Sequence, residues 1–325
     1  MSLRYLGASL ALLVAAVGVS PAVAQWKPTS PVEVVVHTGP GGGNDALGRA
    51  MLGIMDKEKL LPVRFQISNK VGGGSATAMN YMREKKGDPN VITIFSSVYV
   101  SNPLVQPEAS VTMDDLTPIA RLVLEPALVV VRTDSPYKTL KDFIDAAKQK
   151  PNQLKQSGGS VLSRDAVVRQ VLVSSTGAQW PFISFPSGGE RIAALLGGHV
   201  DMMMIEPSEA GEHIRSGKLR PIAQVSEARL EAFKDVPTIK EAGFNIPNVP
   251  QARGIVGPPD MPKEAVAYYA DLFKKVSESP GWKKYLDDTH LQNAYQGPDE
   301  LARFNKQYAD QLRTILKDAG VKVIR

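Results

Sequence analysis

One unit recurs along this chain and restricts its fold more than any other feature: a short β-branched run, a glycine-rich break, then residues at helical spacing. Val32-Glu33-Val34-Val35-Val36-His37, bounded by Pro31 and Gly39, reads as a buried strand. Pro40-Gly41-Gly42-Gly43 breaks it. Leu47, Met51, Leu52 and Met55 then recur at helical spacing, with Asn44 or Asp45 placed to cap the helix. A strand at 63–68, the break Gly72-Gly73-Gly74-Ser75 and a helix at 76–85 repeat the unit, and a third strand, Val91–Phe95, ends in Ser96-Ser97. Further on, strands are expected at 127–131, 182–185, 200–205, 219–225 and 255–256. Helices are expected from an opening at 135–140 to about Lys150, up to 171, up to 196, and at 263–277 and 299–319. Strands alternating with helices predict an α/β protein with a mostly parallel sheet.

The 325 residues are many for one such sheet, so two lobes are expected. No Pro/Gly/Ser linker marks a boundary, which predicts lobes joined by crossover strands, near 121–125 and 250–253. Lobe 1 is read as 25–122 with 252–325, and lobe 2 as 123–251.

Residues 1–24 read as a secretory leader. Arg4 is its only charge, an apolar run follows from Leu6 to Val19, and Ala22 and Ala24 occupy the small-residue positions of a cleavage site before Gln25. The expected location is therefore the periplasm. The run is short against the about 20 apolar residues of a bilayer span, and no later one is as long, so stable membrane insertion is not expected.

The chain has no cysteine, which excludes disulfides, cysteine-held metals and a thiol nucleophile. The net charge is +5, but the bases are interleaved with acids, as where Lys57 and Lys59 flank Glu58. No basic stripe alternates with aromatics, so no nucleic-acid partner is expected. Mild positive charge favours anionic solutes at long range, and a solvated surface explains it equally well.

The glycine-rich turns at 39–45, 72–75, 157–160 and 187–190 carry the functional argument. Turns at strand-to-helix junctions lie at the carboxyl ends of parallel strands, where ligands bind. Glycine lets a ligand approach the backbone, and helix-start amides favour an anion. The expected ligand-binding residues are Gly42, Gly43, Asn44 and Asp45 in the first turn, and Gly74 and Ser75 in the second. Ser96 and Ser97 follow the third strand. Gly159, Ser160, Ser163 and Asp165 belong to the third turn, and Gly188 and Gly189 to the fourth. Glu206 and Arg253 complete the set, with Arg164 a further cation able to reach a carboxylate. Each turn alone reads equally as a tight turn; together they supply donors from both lobes.

Enzyme motifs are missing. Gly39-Pro40-Gly41-Gly42-Gly43-Asn44 lacks the third glycine of a dinucleotide fingerprint, and no glycine loop ends in Gly-Lys-Ser/Thr. No Gly-x-Ser-x-Gly elbow is present. His37, His199, His213 and His290 lack the spacing of a helical zinc pair. Asp45, Asp165, Glu190 and Glu206 are the remaining general-base candidates, but no nucleophile or metal ligand set accompanies them. No cofactor or metal is expected, and an exported hydrolase or lyase has no catalytic set to stand on.

These residues resemble the receptors of the tripartite tricarboxylate transporter family. Pro40-Gly41-Gly42 with Asp45 and Arg49 is similar to its first ligand loop, and Asn69 with Gly72-Gly73-Gly74 to its second. Gly197-Gly198-His199-Val200-Asp201, Ser216-Gly217-Lys218-Leu219-Arg220 and Val236-Pro237-Thr238 with Glu241 and Gly243 continue the likeness. Ser160 to Asp165 stands where the common branch carries a histidine, and with Gly189-Glu190, Ser208-Glu209 and Arg253-Gly254 looks closer to the tricarboxylate-binding branch. The resemblance implies a two-lobed, hinge-closing fold of the periplasmic-binding-protein type II. It implies a small organic acid in the interlobe cleft, and as partner a transporter with one large and one small membrane subunit. The same fold serving as a ligand sensor for a membrane signalling partner is the alternative expectation.

Overall fold

The computed structural model describes residues 26–159, 163–185, 188–318 and 320–325. The expected leader and its cleavage point, Ser160, Ser187 and Ala319 lie outside the described residues. In chain order the elements are β1 (Val32–Val36), α1 (Gly43–Lys57), β2 (Phe65–Asn69), α2 (Ala76–Glu84), β3 (Val91–Phe95), α3 (Val98–Val105), β4 (Thr117–Glu125) and β5 (Ala127–Arg132). Then come α4 (Leu140–Gln149), β6 (Gln156–Gly158), α5 (Arg164–Thr176), β7 (Phe182–Ser184), α6 (Gly188–Leu196), β8 (Met202–Ile205), α7 (Pro207–Arg215) and β9 (Leu219–Val225). The chain finishes with β10 (Gln251–Gly257), α8 (Lys263–Glu278), α9 (Pro280–Thr289), β11 (Gln292–Gln296) and α10 (Pro298–Asp318).

Among the described residues the strands form two sheets, a six-stranded one in the order β11-β4-β10-β3-β1-β2 and a five-stranded one in the order β7-β6-β8-β5-β9. The α/β, two-lobed fold class is thus present, but the sheets are mixed rather than mostly parallel. β1 pairs in parallel with β2 and β3, and β6 with β7 and β8. β10 runs antiparallel to β3 and β4, and β5 antiparallel to β8 and β9. The strands on either side of the change of sheet run against their neighbours. β4 ends at Glu125 in one sheet, and β5 begins at Ala127 in the other.

Strand β1 shows why its sequence lacks alternation. Val32, Val34 and Val36 pack with Leu47, Met51 and Met55 of α1 and with Trp282. Val35 points the other way, to Met79, Met82, Phe95 and Tyr99. Successive strand side chains take opposite faces and both faces are covered, so four of the five positions are apolar; the fifth, Glu33, is half-buried and accepts from the Tyr81 hydroxyl at 2.7 Å. Each such apolar side chain contributes roughly 1.5–3 kcal/mol by leaving water. β5 repeats the arrangement: Leu128 and Val130 meet Leu195 and Ile205, whereas Val129 and Val131 meet Phe143, Leu172 and Trp180. Leu301, Tyr308, Leu312, Ile315 and Leu316 of α10 join the same cluster as Phe143 and Phe95, so one apolar core runs behind both sheets.

Candidate ligand cleft

The first two glycine turns stand at the carboxyl ends of β1 and β2 and lead into α1 and α2; Gly159 follows β6, Gly188 and Gly189 open α6, and the two sheets face each other across these residues. Between the sheets lies a cleft of 1070 Å³. One wall is made of His37 to Asn44, Val71, Gly72, Gly74, Ser96 and Val98; Glu125, Gln251 and Arg253 lie at the junction. The facing wall is Gly159, Ser163, Asp165, Ser184, Phe185, Gly188, Gly189, Arg191, Glu206, Ser208 and Glu209.

The first wall is held from behind. Gly42, in extended backbone, is the residue before α1, so Asn44 and Asp45 lie inside the first turn and do not cap it as the sequence suggested. Asn44 donates to the carbonyl of Ile94 at 2.9 Å and stands 3.2 Å from His37 Nδ1. Asp45, 1% exposed, accepts from the Gly41 amide, from Asn69 at 2.9 Å and from both nitrogens of the Arg49 fork at 2.8 and 2.9 Å. The Arg49 hydrogen bond outweighs burial and holds its carboxyl down at about 2. Asp45 therefore braces the loop with a fixed negative charge and does not line the cleft. Burial, then Arg253, drives the His37 ring down to about 3, so it stays neutral. A Cβ on Gly43 would stand 2.6 Å from the Arg253 guanidinium, so a larger residue there must displace that buried side chain.

Ser75 and Ser97 also sit behind the surface. Ser75 Oγ accepts from Asn102 at 3.1 Å, and Ser97 Oγ donates to the Pro250 carbonyl at 3.1 Å and accepts from the Ala252 amide at 3.2 Å. They tie loops to α3 and β10.

The facing wall is an ion network. Arg164 donates to Glu206 at 3.0 Å and to the Glu125 carbonyl at 2.8 Å, and stands 3.6 Å from Asp165. Arg191 lies 3.1 Å from Asp165, 3.8 Å from Glu206 and 3.6 Å from Glu209. Burial raises the Asp165 carboxyl against the pull of Arg164 and Arg191. Burial also works to raise that of Glu206, but Arg164, Arg191 and Arg253 together bring it below its usual range. Burial and then the neighbouring Glu206 push Glu209 up to about 7. At the junction Arg253 pairs with Glu125, which also accepts from Gln251 at 2.7 Å.

A family model described as tripartite tricarboxylate transporter family receptor matches residues 55–321. The chain belongs to this family. A curated relative in Cupriavidus necator, named UPF0065 protein in gbd 5'region, is 26% identical over 97% of this chain and 96% of its own length. The crystal structure of a TctC solute binding protein from Polaromonas is 26% identical, with TM-score 0.70 over 89% of this chain and 99% of that one. An R. palustris protein solved with adipate is similar in fold, with 21% identity and TM-score 0.83 over 90% of this chain and 98% of the other. MatC from Rhodopseudomonas palustris with bound malate is also similar, with 22% identity and TM-score 0.77 over 89% and 100%.

In this tripartite tricarboxylate transporter receptor the cleft brings together Gly42, Gly43, Asn44, Gly74, Ser96, Gly159, Ser163, Asp165, Gly188, Gly189, Glu206 and Arg253. Asp45, Ser75 and Ser97 are set back from it, and Ser160 lies outside the described residues. Arg164, flagged as a ligand cation, is turned into the ion network; Arg191 reaches the surface instead. Sequence reasoning also missed His37, Phe185, Glu209 and Tyr285 as lining residues. His37 ends the first strand directly before the first glycine turn, which was a usable signal. Tyr285 comes from α9, far along the chain, and gave none. Among the described residues no group of three or more His, Cys, Asp or Glu side chains is arranged to hold a metal ion. No described helix is long and apolar enough to cross a membrane.

Proposed function

We propose that this chain is a periplasmic receptor, without catalytic activity, that captures a small organic carboxylate between its lobes. It then delivers the acid to a secondary transporter with one large and one small membrane subunit. One observation carries the reading. The start of α1, the loop around Gly74, Ser96 and Arg253 face a single cleft from one sheet, and glycine turns of the other sheet close it. Helix-start amides have no partner in their own helix, and with the dipole they favour a carboxylate. Membership of the receptor family, and relatives of like fold solved with adipate and malate, support the same class of ligand.

The proposed lobes are 25–122 with 252–325, and 123–251; the chain passes from the six-stranded to the five-stranded sheet between Glu125 and Ala127 and is back in the six-stranded sheet at Gln251. Gly42, Gly43, Asn44, Gly74 and Ser96 would hold a carboxylate on lobe 1. Gly159, Ser163, Gly188 and Gly189 would meet the ligand from lobe 2. Closure is a population shift, so the acid must contact the closed form better than the open one.

Thermal unfolding of the chain from Gln25 onward, against di- and tricarboxylates, terephthalate and acidic amino acids, with sugars and diamines as controls, tests the reading. An acid at about 100 times its dissociation constant adds about 2.7 kcal/mol of stability. A raised midpoint confined to acids is expected; a response only to sugars or diamines would overturn the carboxylate assignment.

A further inference from the structure

We propose that the cleft is bipolar and that its ligand is an amino carboxylate, with the carboxylate on the lobe-1 amides and a primary ammonium against Glu206 and Glu209. The inference rests on the receptor reading above and narrows its ligand class.

The charges decide it. Four carboxylates line the cleft, from Glu125, Asp165, Glu206 and Glu209. Arg253 is taken by Glu125. The remaining three carboxyls lie nearest Arg164 and Arg191, so carboxyls outnumber guanidiniums four to three in this network. The carboxyl in excess at the cleft surface is Glu209: its side chain is 38% exposed, and the cation paired with it, Arg191, is 3.6 Å away and also serves Asp165 and Glu206. Behind it, Glu206 is 7% exposed, and its Oε2 is buried without a hydrogen-bond donor. Burial first, and then Glu206, raise the Glu209 carboxyl.

The helix ends of this wall do not reverse the sign. A Cβ at Gly188 would collide with the Glu209 carboxylate, so that carboxylate already covers the start of α6. Glu206 is the residue before α7, Glu209 lies in its first turn, and Asp165 lies in the first turn of α5. Each helix start on this wall therefore meets a carboxylate of the protein. On lobe 1 the acid near α1, Asp45, is turned away and neutralised by Arg49. A dicarboxylate spanning the cleft would set its second charge beside Glu209. An ammonium brings three donors and a positive charge to the same place.

The test compares acids of equal length. Calorimetric affinities are measured for butyrate, succinate and 4-aminobutyrate, for the five- and six-carbon sets, and for aspartate and glutamate. The amino acids of at least one length are expected to bind roughly tenfold or more tightly than the matching dicarboxylate. E209Q, a cleft-surface change whose folding is checked by its ligand-free unfolding midpoint, is expected to reduce that ratio by a similar factor. At pH 7, heats in two buffers of different ionisation enthalpy should show proton release on binding by the wild type and less by E209Q. Dicarboxylates binding as tightly as amino acids at every length would overturn this inference and leave the receptor standing. A preference unchanged in E209Q, with no proton release, would overturn the ammonium position. No binding by any acid would overturn both readings.

Discussion

Arg253 reaches from β10 to ion-pair with Glu125 at the end of β4, and the same guanidinium lies against Gly43 at the start of α1. One buried pair thus joins the crossover strands to the loop that opens the cleft. Antiparallel pairing sets it up, with Arg253 opposite Val123 and Gln251 opposite Glu125.

Glu125→Ala leaves the Arg253 guanidinium buried without its partner. Removing one member of a buried pair costs about 3–5 kcal/mol. Urea unfolding should show a loss of that order; a change near zero would mean that Glu206 takes over as the counter-ion.

Gly43→Ala places a methyl 2.6 Å from the Arg253 guanidinium. Forced overpacking costs about 1–3 kcal/mol. The expected signature is weaker acid binding together with a modestly lower unfolding midpoint. Unaltered affinity would show that Arg253 can shift without disturbing the first loop.

Asp45 sets an acid limit to stability. Its native carboxyl is held at about 2, chiefly by Arg49, against about 3.9 in an unfolded chain. A depressed carboxyl contributes stability above its unfolded value and loses that contribution as pH falls through the native one. Between pH 4 and pH 2 the wild type should therefore lose stability more steeply than Asp45→Asn. Parallel pH curves for the two would remove Asp45 from this role.

Glu209 works in the opposite direction. Its carboxyl is raised to about 7, first by burial, so the native state binds a proton that the unfolded chain gives up near its ordinary value. That contribution is complete below about 4.3 and is lost as pH rises through 7. The ligand-free wild type should lose stability across this window relative to Glu209→Gln. Coincident curves would show that Glu209 ionises normally.

Much of the fold was legible because local rules govern it. The β-branched runs and glycine turns located β1, β3, β5 and β9, and the amphipathic periods located α1, α4, α8 and α10. Elements without such signals were missed. α3 carries Pro103 and an apolar sequence without a stripe, β11 is a polar edge strand, and α9 starts on Ser279-Pro280 straight after α8. Antiparallel pairing of β4, β10 and β11 was also out of reach, because direction depends on where the chain changes sheet.

The sequence by itself determined the α/β alternation, the glycine turns at strand ends and the family, since backbone conformation and apolar period are written within a few residues of one another. Only the tertiary structure decided which residues reach the cleft. Arg191 lines it and Arg164 does not; Asp45 braces a loop from behind; Glu209 faces the cleft beside Glu206. Orientation and charge balance arise from side chains that meet across two sheets. Arg253 and Glu125, 128 positions apart, make the point, because no local pattern records which of them will share a buried site.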